Sequence, residues 1–277
     1  MAKRKNRWDE AKILRYIKEG RGQGELANYI PWLKIQDFPS SGNVTRLKGW
    51  KTTRQHEFLS NLERDYFFLL EWNDYVHDIR EQFPLDREYT YQIASEKGIP
   101  HPVDHNTNTP IVFTTDFFIT IKTNKGHKYL ARTIKPSEHL ENKRVIEKFE
   151  IEREYWNRKN IDWGIVTEKE IPMEISKNIQ WFHKSYYIDE HESHSAKDFL
   201  KFLNSKRLHN LNVLEVCNSF DEMYHLEQGS SLLYLKHLIA RKYIFIDINT
   251  KVNIRRLTTS EVILNVKGDL NFDYVSS

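Results

Sequence analysis

The chain has 277 residues, of which 39% are hydrophobic and 13% aromatic, a composition typical of a globular protein with one or two domains. The 42 Lys and Arg exceed the 39 Asp and Glu by only three, so net charge alone does not indicate nucleic-acid binding and any DNA contact must use local patches. No apolar run of about 18 residues and no signal-peptide pattern occurs, and the single cysteine, Cys217, suits a reducing compartment. These features predict a cytoplasmic protein without a membrane span.

Basic residues near the N-terminus are the first candidates for DNA contact. The glycine-rich segment 20–24 (GRGQG) follows a predicted helix rather than a strand and lacks a GKS or GKT ending, which argues against a nucleotide-binding loop. Arg21 in this segment is a candidate DNA-backbone contact, although a solvated linker has the same composition. Lys48 and Lys51 flank Trp50, a combination that suits a surface following a DNA backbone and equally suits an exposed hairpin edge.

A helix is predicted within residues 55–73, where apolar residues recur at helical spacing. Glu63 falls inside this apolar stripe, four residues after Leu59 and four before Phe67. A carboxylate on a buried helix face costs several kcal/mol unless a cation or strong donors meet it. A bound metal ion would meet this requirement; pairing with a surface Lys or Arg is the alternative that the residues leave open.

The next segment predicts a strand from Val76 to Leu85, with Glu81 and Phe83 alternating against Gln82. Residues 86–110 show poor periodicity and predict mainly loop, with a short helical piece near Tyr91 to Lys97. The chain then enters a second pair of strand-like runs.

Residues 111–135 predict a β-hairpin that brings an acid and a lysine onto one face of the sheet. If Lys125-Gly126 forms the two-residue loop, Asp116 lies opposite Lys135. If the loop lies one residue earlier, Asp116 faces Thr133 instead. Both registers place Asp116 and Lys135 on the same face, because directly opposed residues share a face and the side-chain period is two.

An acid on one strand and a lysine at the end of the next is an arrangement used by metal-dependent nucleases. Phosphodiester hydrolysis needs a carboxylate to hold Mg²⁺ against the phosphate and a cation near the attacking water. Asp116 and Lys135 could also form an ordinary solvated cross-strand pair. Glu63, a third charged group upstream, favours the nuclease hypothesis.

Eight segments of the chain together carry a family resemblance. They are IKEGRGQG (17–24), YIPWL (29–33), FPSSG (38–42), LSNLERDYF (59–67), DIREQFPL (78–85), TTDF (114–117), IKP (134–136) and EKFEIEREYW (147–156). In order and spacing they resemble TnsA, the endonuclease subunit of a heteromeric cut-and-paste DNA transposase. The resemblance covers roughly the first 170 residues well and the remainder more loosely.

The resemblance implies a restriction-endonuclease-like fold and a catalytic set of Glu63, Asp116 and Lys135. It implies that Glu63, Asp116 and the main-chain carbonyl of Ile134 hold Mg²⁺, for which Mn²⁺ can substitute, and that Lys135 orients the attacking water. The family often has Gln two residues before the lysine, where this chain has Thr133, whose shorter hydroxyl is a candidate support that could still hold a metal-bound water. Glu152, on the apolar side of the following helix, is a candidate support for Lys135, and an ordinary helix salt bridge is the alternative.

The resemblance also implies a role and partners. The protein would nick the 5′ ends of a transposon in double-stranded DNA, working with an integrase-type, TnsB-like transposase and an ATP-dependent, TnsC-like regulator. It would act in a prokaryotic cytoplasm, at the nucleoid when bound to DNA. Two alternatives stay open: a self-sufficient restriction-like or junction-cleaving nuclease, and a DNA-binding adaptor whose nuclease core has decayed.

The fold predicted from these elements is α/β, with a boundary near residue 168. Domain 1–168 is a mixed-sheet catalytic core, completed by a helix from Ser137 to about residue 160 and a strand at 161–167. Domain 169–277 has successive helices and then a hairpin of two predicted strands, Tyr243–Asn249 and Val262–Val266, which suggests a winged-helix-like module that binds DNA or a partner. Its helix Ser230–Lys242 would face the groove of DNA, with Lys236 and Arg241 available for contact.

Overall fold

The computed structural model describes residues 7–37 and 43–265, and the chain divides into two compact units after Ile171. The FPSSG motif at 38–42 and residue 266, the end of a predicted strand at 262–266, lie outside the described residues. Within the described ranges, no helix is both long enough and apolar enough to cross a membrane.

The first unit is built on a four-stranded mixed sheet in the order β3-β4-β5-β6, with a separate two-stranded hairpin, β1-β2. β5 and β6 are parallel and the other neighbours antiparallel, so the strand, helix, strand crossover predicted from the sequence is present. Its elements are α1 (Glu10–Lys18), β1 (Thr45–Lys48), β2 (Gln55–Phe58), α2 (Asn61–Trp72), β3 (Val76–Pro84), α3 (Arg87–Glu96), β4 (Thr114–Thr123), β5 (Gly126–Ile134), α4 (Lys143–Arg158) and β6 (Asp162–Val166).

Two helix starts differ from the prediction, and side-chain caps explain both. α3 begins four residues before the predicted piece because the Asp86 carboxylate accepts a hydrogen bond from the Tyr89 N–H. α4 begins later than Ser137, because residues 137–141 form a 3-10 turn and the Asn142 side chain then accepts from the first N–H groups of the helix.

The β4-β5 hairpin adopts the second of the two registers considered from the sequence. Phe117 pairs with Arg132 and Thr123 with Gly126, so the two loop residues are Asn124 and Lys125. Continued by one pair, this register sets Asp116 against Thr133. The main-chain N–H of Ile134 then donates to Asp116 Oδ2 at 2.7 Å.

The sheet is covered on both faces by aromatic side chains. On one face, the ring of Phe117 packs against Phe58 of β2 and Tyr66 of α2. On the other, the ring of Phe118 stacks on Trp156 of α4 with centroids 5.0 Å apart. Burial on both sides accounts for the near-continuous apolar run of β4.

A buried ionic cluster attaches the β1-β2 hairpin to the edge strand of the sheet. The fully buried carboxylate of Glu81 on β3 accepts hydrogen bonds from Arg54 and is bonded to His56 Nδ1 at 2.8 Å. Burial alone would raise the pKa of Glu81, but His56 and Arg54 hold it well below its usual range.

Arg21 is a structural residue and not the DNA contact that the sequence suggested. It is 6% exposed, and its guanidinium donates to Asp37, Glu19 and the Trp32 carbonyl while lying 3.5 Å from the centre of the Tyr16 ring. These partners use the donors that a DNA phosphate would need.

Replacing Arg21 by methionine should lower the free energy of unfolding by about 3 to 5 kcal/mol, because Asp37 is left as a partly buried charge without its partner. Urea unfolding measures this loss, and DNA affinity at a temperature where the variant stays folded should not change. The control is Arg15→Met, since the Arg15 side chain is 62% exposed. A loss of DNA affinity with unchanged stability would restore Arg21 as a DNA contact.

The second unit is a helical bundle with a short hairpin. It contains α5 (Met173–His183), α6 (Glu190–Lys206), α7 (Val213–Met223), α8 (Ser230–Ala240), β7 (Ile244–Phe245) and β8 (Ile263–Leu264), and β7 pairs with β8. Each strand has two paired residues, fewer than the sequence predicted.

α8, the helix predicted to face the groove of DNA, is instead the centre of the bundle. It packs against α5, α6 and α7, and most of its residues are buried. His237 is buried and bonded to the Ser185 carbonyl, and burial lowers its pKa to about 4. The ammonium group of Lys236 lies over Trp181 and the guanidinium of Arg241 over Tyr186. A helix covered on several sides cannot enter a DNA groove, so this assignment is corrected.

Candidate active site

Glu63 is oriented by the N-terminus of α2. Ser60 caps this helix: its hydroxyl accepts from the Glu63 N–H at 3.2 Å and donates to Glu63 Oε1 at 2.8 Å. The Leu59 N–H donates to the other carboxylate oxygen at 3.1 Å. Ser60 thus caps α2 and also bonds the carboxylate of Glu63, a residue that is 7% exposed. The burial predicted from the apolar stripe is confirmed, with local donors rather than a surface cation as its partners.

Asp116 is held from two sides. Its Oδ2 accepts from the Ile134 N–H and its Oδ1 from the side-chain amide of Gln82 at 3.1 Å. Burial raises the pKa of Asp116 to about 6, against the opposing influence of these two donors and the charge of Lys135. The carboxylate is therefore fixed in orientation and near to a cation.

A single cavity of about 380 Å³ contains the three residues proposed as catalytic and both of their proposed supports. It is lined by Glu63, Pro102, Ile111, Phe113, Thr114, Asp116, Thr133, Ile134, Lys135, Lys148, Phe149 and Glu152. The half-buried ammonium of Lys135 forms no hydrogen bond or salt bridge within the residues that the structure describes. Helix α2, the β4-β5 hairpin and helix α4 therefore all contribute side chains to one cleft.

The electrostatics of this cleft suit a cation. Burial, and then the charge of Asp116, raises the pKa of Glu63 to about 8. No group of three or more His, Cys, Asp and Glu arranged around a common point occurs in the described parts of the chain. Mg²⁺ commonly uses one or two carboxylates and completes its octahedron with water, so Glu63, Asp116 and a main-chain carbonyl fit it.

Glu152 does not hold Lys135, and it forms no helix salt bridge among the described residues. Its Oε1 accepts from the hydroxyls of Thr115 at 2.6 Å and Thr133 at 2.5 Å. Burial raises the pKa of Glu152 to about 7. The Thr133 hydroxyl donates to Glu152 and accepts from Trp163 Nε1, so its hydrogen bonds join the sheet to α4.

Two residues were missed by the sequence analysis: Lys148, which lines the cleft, and Gln82, which bonds Asp116 of the cleft. Lys148 is exposed and lines the cavity, and burial, then the charges of Arg144 and Lys135, lowers its pKa. Its spacing of four from Glu152 on one helix face was the available signal. Gln82 lies in a strand that was predicted to alternate regularly, so nothing in the sequence predicted that its side chain would contact Asp116.

The remaining DNA-contact candidates do not line this cavity. Lys48 is exposed on β1 and Lys51 is half-buried in the following turn. Trp50 between them is buried, and its main-chain N–H donates to the Glu71 carboxylate. Trp50 therefore belongs to the core and not to a DNA-binding surface. The structure therefore assembles the acid, acid and lysine set but leaves Lys48 and Lys51 elsewhere.

Comparison with known proteins agrees with the resemblance found in the motifs. The family described as "TnsA-like endonuclease N terminal" matches residues 73–168, and "TnsA endonuclease C terminal" matches residues 170–248. The chain is also 40% identical over 250 residues, 90% of each protein, to the Transposon Tn7 transposition protein TnsA of Escherichia coli. The chain belongs to the TnsA family, the endonuclease subunits of DNA transposition.

Proposed function

We propose that this chain is a Mg²⁺-dependent DNA endonuclease that hydrolyses phosphodiester bonds at the 5′ ends of a transposon. The observation that carries the proposal is the convergence of Glu63, Asp116 and Lys135 on one cavity. A mixed sheet with the acid on β4 and the lysine after β5 supports a restriction-endonuclease-like fold for the first unit. Mn²⁺ would substitute because it accepts the same oxygen ligands.

In this proposal the carboxylates of Glu63 and Asp116 and the carbonyl of Ile134 hold the cation. When bound, Mg²⁺ lowers the pKa of a water molecule and neutralises charge on the phosphate. Capping by Ser60 and the Ile134 N–H fix the two carboxylates before DNA arrives. The ammonium of Lys135, which has no hydrogen-bond or salt-bridge partner among residues 7–37 and 43–265, orients the attacking water and stabilises the charge that develops on the phosphate.

Family membership favours a transposition subunit over a self-sufficient nuclease. The presence of all three proposed catalytic groups in one cavity argues against a decayed adaptor. We propose an integrase-type transposase and an ATP-dependent regulator as partners. The second unit would bind DNA or one of these partners through surfaces other than the buried helix α8.

The test is cleavage of DNA bearing transposon ends by the full chain, alone and with both partners, at several Mg²⁺ concentrations. Efficient 5′ cleavage that requires the partners and Mg²⁺ supports the proposal. Equal cleavage by the chain alone would instead establish the self-sufficient nuclease.

Replacing Lys148 by glutamine should weaken DNA binding without removing catalysis. Its exposed ammonium lies at the cleft beside Lys135, where it can contact a phosphate next to the scissile one. Loss of one phosphate contact should lower the slope of log K against log salt by about 0.9 and weaken binding several-fold. Fluorescence anisotropy over a salt series measures both.

The matched control is Lys143→Gln on the same helix. The Lys143 side chain is 92% exposed and does not line the cavity. An equal change of slope in the two variants would show that Lys148 has no special place in the DNA path.

A further inference from the structure

Gln82 has a backbone conformation that is costly for its residue type. Its φ is +48°, and of the non-glycine residues with positive φ in the described parts of the chain, it alone lies inside a β-strand. Such conformations cost on the order of 1 to 3 kcal/mol and persist where the surroundings compensate, commonly at functional sites. The Gln82 carbonyl accepts from the Trp32 N–H at 3.2 Å, which helps to hold the conformation.

The left-handed residue breaks the alternation of β3. In a regular strand Glu81 and Phe83 would share a face. Instead, the Glu81 carboxylate contacts Arg54 and His56 on the side of the hairpin, while the Phe83 ring stacks on Phe118 on the side of α4.

The neighbouring strand breaks its alternation at the facing position. Phe117 packs towards α2, whereas the Thr115 hydroxyl bonds Glu152 and Trp156 of α4. Pairing of Glu81 with Phe117 and of Phe83 with Thr115 keeps the register continuous, which sets Gln82 opposite Asp116. The two irregularities therefore coincide at one of the proposed cation ligands.

The side chain of Gln82 is 3% exposed and is bonded in a defined orientation. Its Nε2 donates to Asp116 Oδ1 at 3.1 Å, and its Oε1 accepts from the Thr114 hydroxyl at 3.1 Å. The opposite amide orientation would direct Oε1 at a carboxylate. The Gln82 amide also lies near enough to Glu63 to oppose the rise of its pKa that burial and the charge of Asp116 cause.

We propose that Gln82 is a positioning residue that orients the Asp116 carboxylate, next to Glu63, for a divalent cation, with Thr114 fixing its amide. This inference rests on the proposed function and deepens it. A neutral amide supplies donors without changing the charge of the pair, whereas a lysine at this position would neutralise one carboxylate and compete with the cation. The left-handed backbone of Gln82 on β3 is what allows its amide to lie between α2 and β4.

The experiment measures Mn²⁺ binding to the full chain by the electron paramagnetic resonance signal of free Mn²⁺, in wild type and in Gln82→Met. Methionine keeps the length of the side chain and removes its donors. Loss of a group that orients metal ligands typically weakens metal binding 10- to 100-fold, and we expect this range. DNA affinity measured in a chelator, without divalent cations, should stay within about two-fold, because Gln82 holds metal ligands rather than phosphate, and kcat at a fixed Mg²⁺ concentration should fall.

Thr114→Val is a second variant that leaves the Gln82 backbone untouched and removes only the hydroxyl that fixes the amide. It should weaken Mn²⁺ binding in the same direction and by less. Unchanged Mn²⁺ binding in both variants would overturn the role of Gln82, as would a Gln82→Met protein that loses DNA affinity as much as Mn²⁺ affinity. Absence of Mn²⁺ binding by the wild type would instead overturn the proposed metal site itself.

Discussion

Asp116→Ala abolishes metal-dependent DNA cleavage and leaves the protein folded: this is the largest effect that we expect from a single substitution. Removing one of the two proposed charged ligands should forfeit several kcal/mol of transition-state stabilisation, which corresponds to a rate loss of at least about 1,000-fold. Stability should change by no more than about 2 kcal/mol. The Ile134 N–H and the Gln82 amide lose a partner, but a buried carboxylate is also removed.

Single-turnover cleavage of end-bearing DNA measures the rate, and urea unfolding measures the stability. Asp162→Ala is the control, because Asp162 is a half-exposed acid of the same sheet and lies outside the cavity. Cleavage by Asp116→Ala at a rate near that of the wild type would remove Asp116 from the mechanism.

Glu63→Gln should abolish cleavage and at the same time stabilise the metal-free protein above neutral pH. The folded-state pKa of Glu63 is about 8 and its ordinary value 4.5, so the folded protein retains a proton that the unfolded chain releases. The free energy of unfolding therefore falls as the pH rises from about 4.5 to about 8, by an amount on the order of a few kcal/mol. Glutamine is neutral throughout, so this fall should be reduced in the variant.

Thermal unfolding in a chelator between pH 5 and pH 9 tests the stability, and Mg²⁺ titration of cleavage tests the activity. In the wild type, divalent cations should stabilise the protein more at pH 8 than at pH 6, because metal binding displaces the retained proton. The exposed helix residue Glu174→Gln serves as control. Parallel stability curves for Glu63→Gln and wild type would show that Glu63 does not titrate in this range.

The elements of the catalytic unit were accessible from the sequence because their signals are local. Alternating and β-branched runs predicted β3, β4 and β5, and the apolar stripe predicted the burial of Glu63. The turn residues limited the hairpin to two registers, both of which put Asp116 and Lys135 on one face. What could not be predicted was how the Asp116 carboxylate is bonded, since its donors, the Gln82 amide and the Ile134 N–H, lie on other strands far along the chain.

The errors arose where tertiary packing decides the role of a charged residue. Arg21 was predicted to be exposed because its neighbours are glycines, yet Asp37 and the Tyr16 ring enclose it. Lys236 and Arg241 were assigned to a DNA-facing helix because helices followed by a hairpin suggest a winged helix, but three helices pack against that helix. No sequence pattern reports a left-handed residue within a strand, so Gln82 could be found only in three dimensions.

Because the irregularities of β3 and β4 lie at facing positions, the orientation of Asp116 depends on that of Gln82. The pairing register of β3 and β4 is the same on both sides of Gln82. If only one strand had a regular conformation here, every side chain beyond that point would move to the opposite face of the sheet, and rings such as Phe83 would be exposed. An engineer who transplants this nuclease centre to another scaffold must therefore move the two-strand ribbon around residues 82 and 116 as a block, because grafting isolated side chains would leave the acid misdirected.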